Sequence, residues 1–361
     1  MIASIADFTT SPGEEIDVEY VLNNPNVSLY TFNEDPKSAV FTELPDGVNL
    51  AAVPFVYMAQ YEQAQRLIEM DYETFKRIAR TLSPVEHLIM IYITGRSGST
   101  LLSHVFNELD NVMSLSEPDV GTQFLHLRHN KTLPDPELSD LLDCTVRVLF
   151  RPTPFKTPSI YALKLRSEAT QLIDLYQATF PTVRNLYLYR DAVGFVASFY
   201  RVFKEEGDAD IITFDEIARG LSYITTQDFS SMRSYLEPGT EQVSLSQWLT
   251  LWWIKITEWY LDAYARKFPV LAINYADFNR KREATLKAIF DYCGLPSGQV
   301  AETLHVFERD SQAGTILARE NPTEGNKLKL SDAQIVEIRR MLAQHLVIQT
   351  LDYIVPGTPP L

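Results

Sequence analysis

The chain has 361 residues, of which 45% are hydrophobic, 22% charged and 11% aromatic, the balance of an ordinary soluble enzyme with material for one large core or two. Its formal net charge of −15 argues against a nucleic-acid partner, which needs a basic surface, and leaves a solvated acidic exterior or a cationic small-molecule partner as its meaning. Two distant cysteines, Cys144 and Cys293, make neither a disulfide framework nor a zinc set, and the histidines show no ligand spacing, so no metal is expected.

Residues 1–84 read as an N-terminal extension packed on the core domain. Two acidic patches, Pro12 to Asp17 and Asn33 to Lys37, flank a β-like run, Val27 to Phe32. From Val53 to Leu82, Tyr57, Tyr61, Ala64, Leu67, Ile68, Tyr72, Phe75 and Ile78 recur at helical spacing, which predicts helix. The start of the chain has no basic segment leading into an apolar run, and no stretch of about 18 uncharged apolar residues appears, so no leader, no membrane span and a cytoplasmic setting are expected.

Residues 85–330 alternate strand and helix. Strands are predicted at 88–93, 161–165, 185–189 and 270–275, and helices at 99–110, 172–180, 193–203, 245–266 and 281–293. Trp248, Trp252 and Trp259 follow helical spacing and read as core. Residues 205–243 are polar and helical in patches, suited to a lid or subdomain, and 307–330 form a loop. A last helix, 331–346, opened by Ser331 or Asp332, begins the C-terminal segment 331–361. The order predicts an α/β fold: a central parallel sheet with helices on both faces, like that of P-loop nucleotide triphosphatases, with an N-terminal extension and helical insertions. Sites in such sheets lie beyond the carboxyl ends of the strands.

The most telling segment is Ile89 to Leu102, IMIYITGRSGSTLL. A buried strand runs into a turn of glycines and small residues and then into a helix. The turn's N–H groups and the positive end of the helix dipole suit a phosphate. A nucleoside-triphosphate loop has four residues between its glycines and then Gly-Lys-Ser/Thr. Here only Arg96 and Ser97 separate Gly95 from Gly98, and no lysine follows. A phosphate fits such a loop better than a magnesium-bound triphosphate. A second segment, Tyr189-Arg190-Asp191 with Ser198 and Arg201 in the helix beyond, ends the third strand. Arg190 and Ser198 can clamp one phosphate between them, while Arg-Asp at a strand end also suits a structural ion pair.

The two segments together resemble the sulfotransferases that use 3′-phosphoadenosine 5′-phosphosulfate (PAPS) and release adenosine 3′,5′-bisphosphate (PAP). Ile273 to Phe278, and Asp310 to Thr315 followed by Arg319, resemble further family segments, so the likeness spans roughly residues 85–320. The resemblance implies that Arg96, Ser97, Gly98, Ser99, Thr100 and Leu101 hold the 5′ side of the donor. Arg190 and Ser198 take the 3′-phosphate, and Ser311, Gln312, Gly314, Thr315 and Arg319 belong to a loop closing over the nucleotide. It places Arg96 and Lys164, with Arg166 as a third choice, near the charge that builds on the leaving oxygen.

Cytosolic members carry a histidine after the second strand, where this chain reads Lys164-Leu165-Arg166. Other branches use a glutamate after the first helix, which makes Glu117 in Ser116-Glu117-Pro118-Asp119 the expected base, with His126 and His129 behind it. This acidic segment is the one motif expected away from a strand end. The implied acceptor is a small molecule bearing a hydroxyl or amine, with residues 205–243 on its side of the site. Two alternatives stay open. A P-loop small-molecule kinase would need a lysine and a magnesium-binding acid at the loop. A non-catalytic nucleotide-binding protein is suggested by the missing histidine.

Overall fold

A computed structural model describes residues 3–205, 211–312 and 329–361. The chain divides into two compact units, residues 1–91 with 100–185, and residues 92–99 with 186–361.

In the first unit a short helix, α1 (Tyr20–Asn23), leads to β1 (Val27–Glu34) and β2 (Lys37–Glu43), which pair antiparallel. The predicted helix over 53–82 is broken in two. Between α2 (Val56–Gln63) and α3 (Tyr72–Ala79) lies a strand, β3 (Arg66–Asp71), antiparallel to β2. Ile68 and Met70 are buried while Glu69 and Asp71 face solvent, a period of two that the apolar pair Leu67-Ile68 disguises as helix. Asp71 stops the strand and caps α3 by accepting from the Thr74 amide at 2.9 Å.

β4 (Leu88–Ile93) is buried along its whole length, and α4 (Ser99–Asn107) follows the turn. The next strand, β5 (Val112–Ser116), was not legible as one because serine interrupts its apolar run. The structure satisfies that polarity locally. Ser114 donates its amide to Asn107 Oδ1 at 2.8 Å, and its hydroxyl meets that of Ser103 at 2.6 Å. Then come α5 (Asp119–His129), α6 (Asp135–Leu149), β6 (Ile160–Lys164) and α7 (Ile173–Thr179). β6 pairs parallel with both β4 and β5. Gln123 of α5 bonds the Phe32 amide at 2.8 Å and the Phe32 carbonyl at 2.6 Å, which ties β1 to that helix.

The second unit contains α8 (Ala192–Glu205) after β7 (Arg184–Tyr189), the ribbon strand β8 (Ile211–Thr213) and α9 (Phe214–Thr225). β9 (Gln242–Ser244) pairs antiparallel with β8 and leads into the long α10 (Leu245–Ala265). After β10 (Val270–Asn274) come α11 (Tyr275–Arg280), α12 (Arg282–Cys293), α13 (Val300–Thr303) and α14 (Asp332–Ala343). Ser331 caps α14 in a capping box with Gln334. Trp253 and Trp259 of α10 are buried, whereas Trp248 and Trp252 are half-buried in ring contacts. Segment 205–243 thus supplies a helix and a two-stranded ribbon, with 206–210 outside the described residues.

One five-stranded sheet has the order β10-β7-β4-β6-β5 and is flanked by helices. β4 is its middle strand, with the later strands distributed to both sides. That makes β4 the switch point, outside whose carboxyl end ligands bind in open α/β sheets. No helix among the described residues is long and apolar enough to cross a membrane.

Candidate active site

In the second unit the turn after β4 takes backbone conformations that a phosphate loop needs. Gly95 (φ +90°), Arg96 (φ +52°) and Gly98 (φ +80°) are all left-handed. Close packing adds a second reason for the glycines. A Cβ on Gly95 would sit 3.1 Å from the Phe199 ring, and one on Gly98 would sit 3.1 Å from Tyr275 and 3.2 Å from Phe278.

Arg96 turns away from solvent. Its Nε donates to Ser198 Oγ at 2.9 Å, and its Nη1 donates to Gln312 Oε1 at 2.9 Å. Arg190 Nη1 donates to the Arg96 carbonyl at 3.3 Å, and the Arg190 amide donates to Thr94 Oγ1 at 3.2 Å. Three predicted donor-binding side chains, Arg96, Arg190 and Ser198, therefore gather at the turn, and Gln312 joins them. Gly314, Thr315 and Arg319 lie outside the described residues, and Ser311 is half-buried next to Gln312.

The electrostatics of this cluster are strained. Burial, and then the charges of Arg190 and Arg201, press the Arg96 guanidinium down to about 10. Burial also lowers Arg190, against the opposing pull of Tyr275 and Asp191. Ser97 Oγ is buried with no hydrogen-bond partner among the described residues. A half-buried excess of positive charge beside an orphaned buried hydroxyl is what an anion with several oxygens would relieve. The residues present therefore fit a phosphate-bearing donor.

In the first unit the carboxyl ends of β5 and β6 bring a carboxylate and an ammonium together. Glu117 directly follows β5, so the acidic segment does lie at a strand end; the serine-rich strand hid this in the sequence. Glu117 is left-handed (φ +55°), and its amide donates to the Lys164 carbonyl at 2.7 Å. Lys164 Nζ donates to Glu117 Oε1 at 2.6 Å, and to Ser116 Oγ and Thr100 Oγ1 at 3.2 Å each. Far from being a surface lysine, Lys164 is 1% exposed. Its ammonium also lies 5.2 Å from the centre of the Phe55 ring.

Arg166 Nε pairs with buried Asp119 at 2.9 Å, and its guanidinium lies 4.2 Å over the Tyr57 ring. His126 and His129 sit toward the far end of α5, away from Glu117 before its start, and His129 is exposed. Leu101 is buried in α4. Sequence reasoning gave no role to Phe55, Tyr57, Tyr275 or Arg201. Arg201 carried a local signal, one helical turn beyond Ser198, and Tyr275 lay within the segment Ile273 to Phe278 already noted for its resemblance.

No protein-family model matches the chain, and no curated protein matches it in sequence. Solved structures similar to this chain are sulfotransferases. One is the sulfotransferase domain from the curacin biosynthetic pathway, at 16% identity over 75% of this chain and 89% of that one, with a TM-score of 0.39. Another is the sulfotransferase from Alicyclobacillus acidocaldarius, at 12% identity, 73% and 94% coverage and a TM-score of 0.42. A third is mouse sulfotransferase SULT7A1 complexed with PAP, at 10% identity, 77% and 92% coverage and a TM-score of 0.41.

Proposed function

We propose that this chain transfers a sulfonate group from PAPS to a hydroxyl or amine of a small-molecule acceptor. The observation that carries this is the meeting of Arg96, Ser198 and Arg190 at a left-handed glycine turn, where half-buried positive charge is in excess. Arg96, Ser97, Gly98, Ser99, Thr100 and Leu101 serve the 5′ side of the donor, Arg190 and Ser198 the 3′-phosphate, and Ser311 to Arg319 the loop over it. When bound, the donor supplies an activated sulfonate on a phosphate leaving group.

The chain's own residues supply the rest. Glu117 takes the acceptor's proton. Its 2.6 Å bond to Lys164 holds one carboxylate oxygen in place until the proton arrives. Lys164, fixed at three oxygens, keeps a positive charge beside Thr100 at the start of α4, where charge developing in the reaction is best met.

Calorimetric titration tests the donor assignment. PAP is expected to bind without magnesium. Binding of ATP only with magnesium, and none of PAP, would replace this function with that of a kinase.

A further inference from the structure

The guanidinium of Arg190 is held by surprisingly little. Among the described residues it makes no ion pair, and its one hydrogen bond, to the Arg96 carbonyl, is long at 3.3 Å. The neighbouring Asp191 does not hold it by a hydrogen bond; its Oδ1 accepts the Gly194 amide at 2.8 Å at the start of α8. Gly194 leaves the space through which the arginine passes, since a Cβ there would fall 2.7 Å from Arg190 Nε.

What lies against the guanidinium is an aromatic ring. Arg190 Cζ is 4.6 Å from the centre of the Tyr275 ring. An edge of the same ring also packs on the phosphate turn, 3.1 Å from where a Gly98 Cβ would be. The ring is well anchored. Asn274 caps α11 by accepting from the Ala276 amide at 2.8 Å, which fixes the backbone on either side of Tyr275. One turn on, buried Phe278 packs on the same glycine. Gly98 has no side chain to push the ring away, and its left-handed backbone would strain any other residue.

We infer that Tyr275 is a positioning residue: its ring seats Arg190 beside the glycine turn and thereby sets recognition of the donor's 3′-phosphate. This rests on the assignment of Arg190 to that phosphate. The contribution comes from the ring face, through cation–π attraction and packing, and the hydroxyl is not needed for it. Tyr275 acts through Arg190 and touches none of the reacting atoms.

Calorimetric titration with PAP and with adenosine 5′-phosphate, which lacks the 3′-phosphate, tests this. Tyr275→Leu is expected to weaken PAP about tenfold and adenosine 5′-phosphate less than about threefold, the scale of one desolvated cation–π contact. Tyr275→Phe keeps the ring face and is expected to leave both affinities at the wild-type level. In an Arg190→Ala background, Tyr275→Leu is expected to add less than about threefold to the loss of PAP affinity. Tyr275→Met, closer in length, repeats the test should the leucine variant fail to fold. Equal losses for both nucleotides, an additive loss in the Arg190→Ala background, or an unchanged preference for PAP would each overturn the inference. Wild-type protein with no preference for PAP would instead remove the donor assignment, and this inference with it.

Discussion

Glu117 and Arg190 separate chemistry from binding, and each makes a distinct prediction. Glu117→Ala is expected to lower kcat by about a hundredfold or more while PAP affinity stays near wild type, because general-base catalysis is lost and the donor contacts remain. Full turnover in that variant would assign the proton to another group. Arg190→Ala is expected to weaken PAP by about a hundredfold, the cost of a lost charge-assisted phosphate contact. A third prediction concerns Glu168, a buried carboxyl that the mechanism does not use. Burial raises it above its ordinary range, against the pull of Arg166, while Asp119 and Glu117 add to the rise. Its folded pKa therefore exceeds its unfolded one. The ionised group costs stability as pH rises through that window, and the cost is absent below the unfolded pKa. Glu168→Gln should then raise the melting temperature at pH 7 and have little effect near pH 4. An effect of the same size at both pH values would contradict this.

The turn after β4 shows what a single element can carry, and how much of it could be read in advance. Gly98→Ala must strain a φ of +80° and push on rings 3.1–3.2 Å away. A stability loss of about 1–3 kcal/mol and weaker PAP binding are expected from thermal melts and titration. The glycines, the hydroxyl-rich turn and the apolar strand before it are local signals, which is why β4, its loop and α4 were legible. β5 was not, because Ser114 is satisfied by Asn107 and Ser103, and Ser116 by the Pro54 carbonyl, rather than by water. With β5 hidden, Glu117 read as lying off the sheet, though its identity as an acid before a proline was plain. Tyr275 could not have been found from spacing at all. Its partners, Gly98 and Arg190, lie on other elements, and only the folded backbone brings the three together. The helix predicted over 53–82 failed for the opposite reason: a short apolar pair fits both periods, and pairing with β2 decided for a strand.

For the whole molecule, an acidic chain of net charge −15 gathers half-buried guanidinium groups at one turn and a buried lysine at two strand ends. The most direct measurement is product formation. The protein is incubated with PAPS and a panel of small alcohols, phenols and amines, and PAP release and sulfonated product are followed together by mass spectrometry. Equal amounts of PAP and a sulfonated acceptor are expected, both formed at least about a hundredfold more slowly in Glu117→Ala although that variant still binds PAP. PAP binding with no sulfonated product from any acceptor, in the wild type as in the variant, would contradict transfer and leave a nucleotide-binding protein in its place.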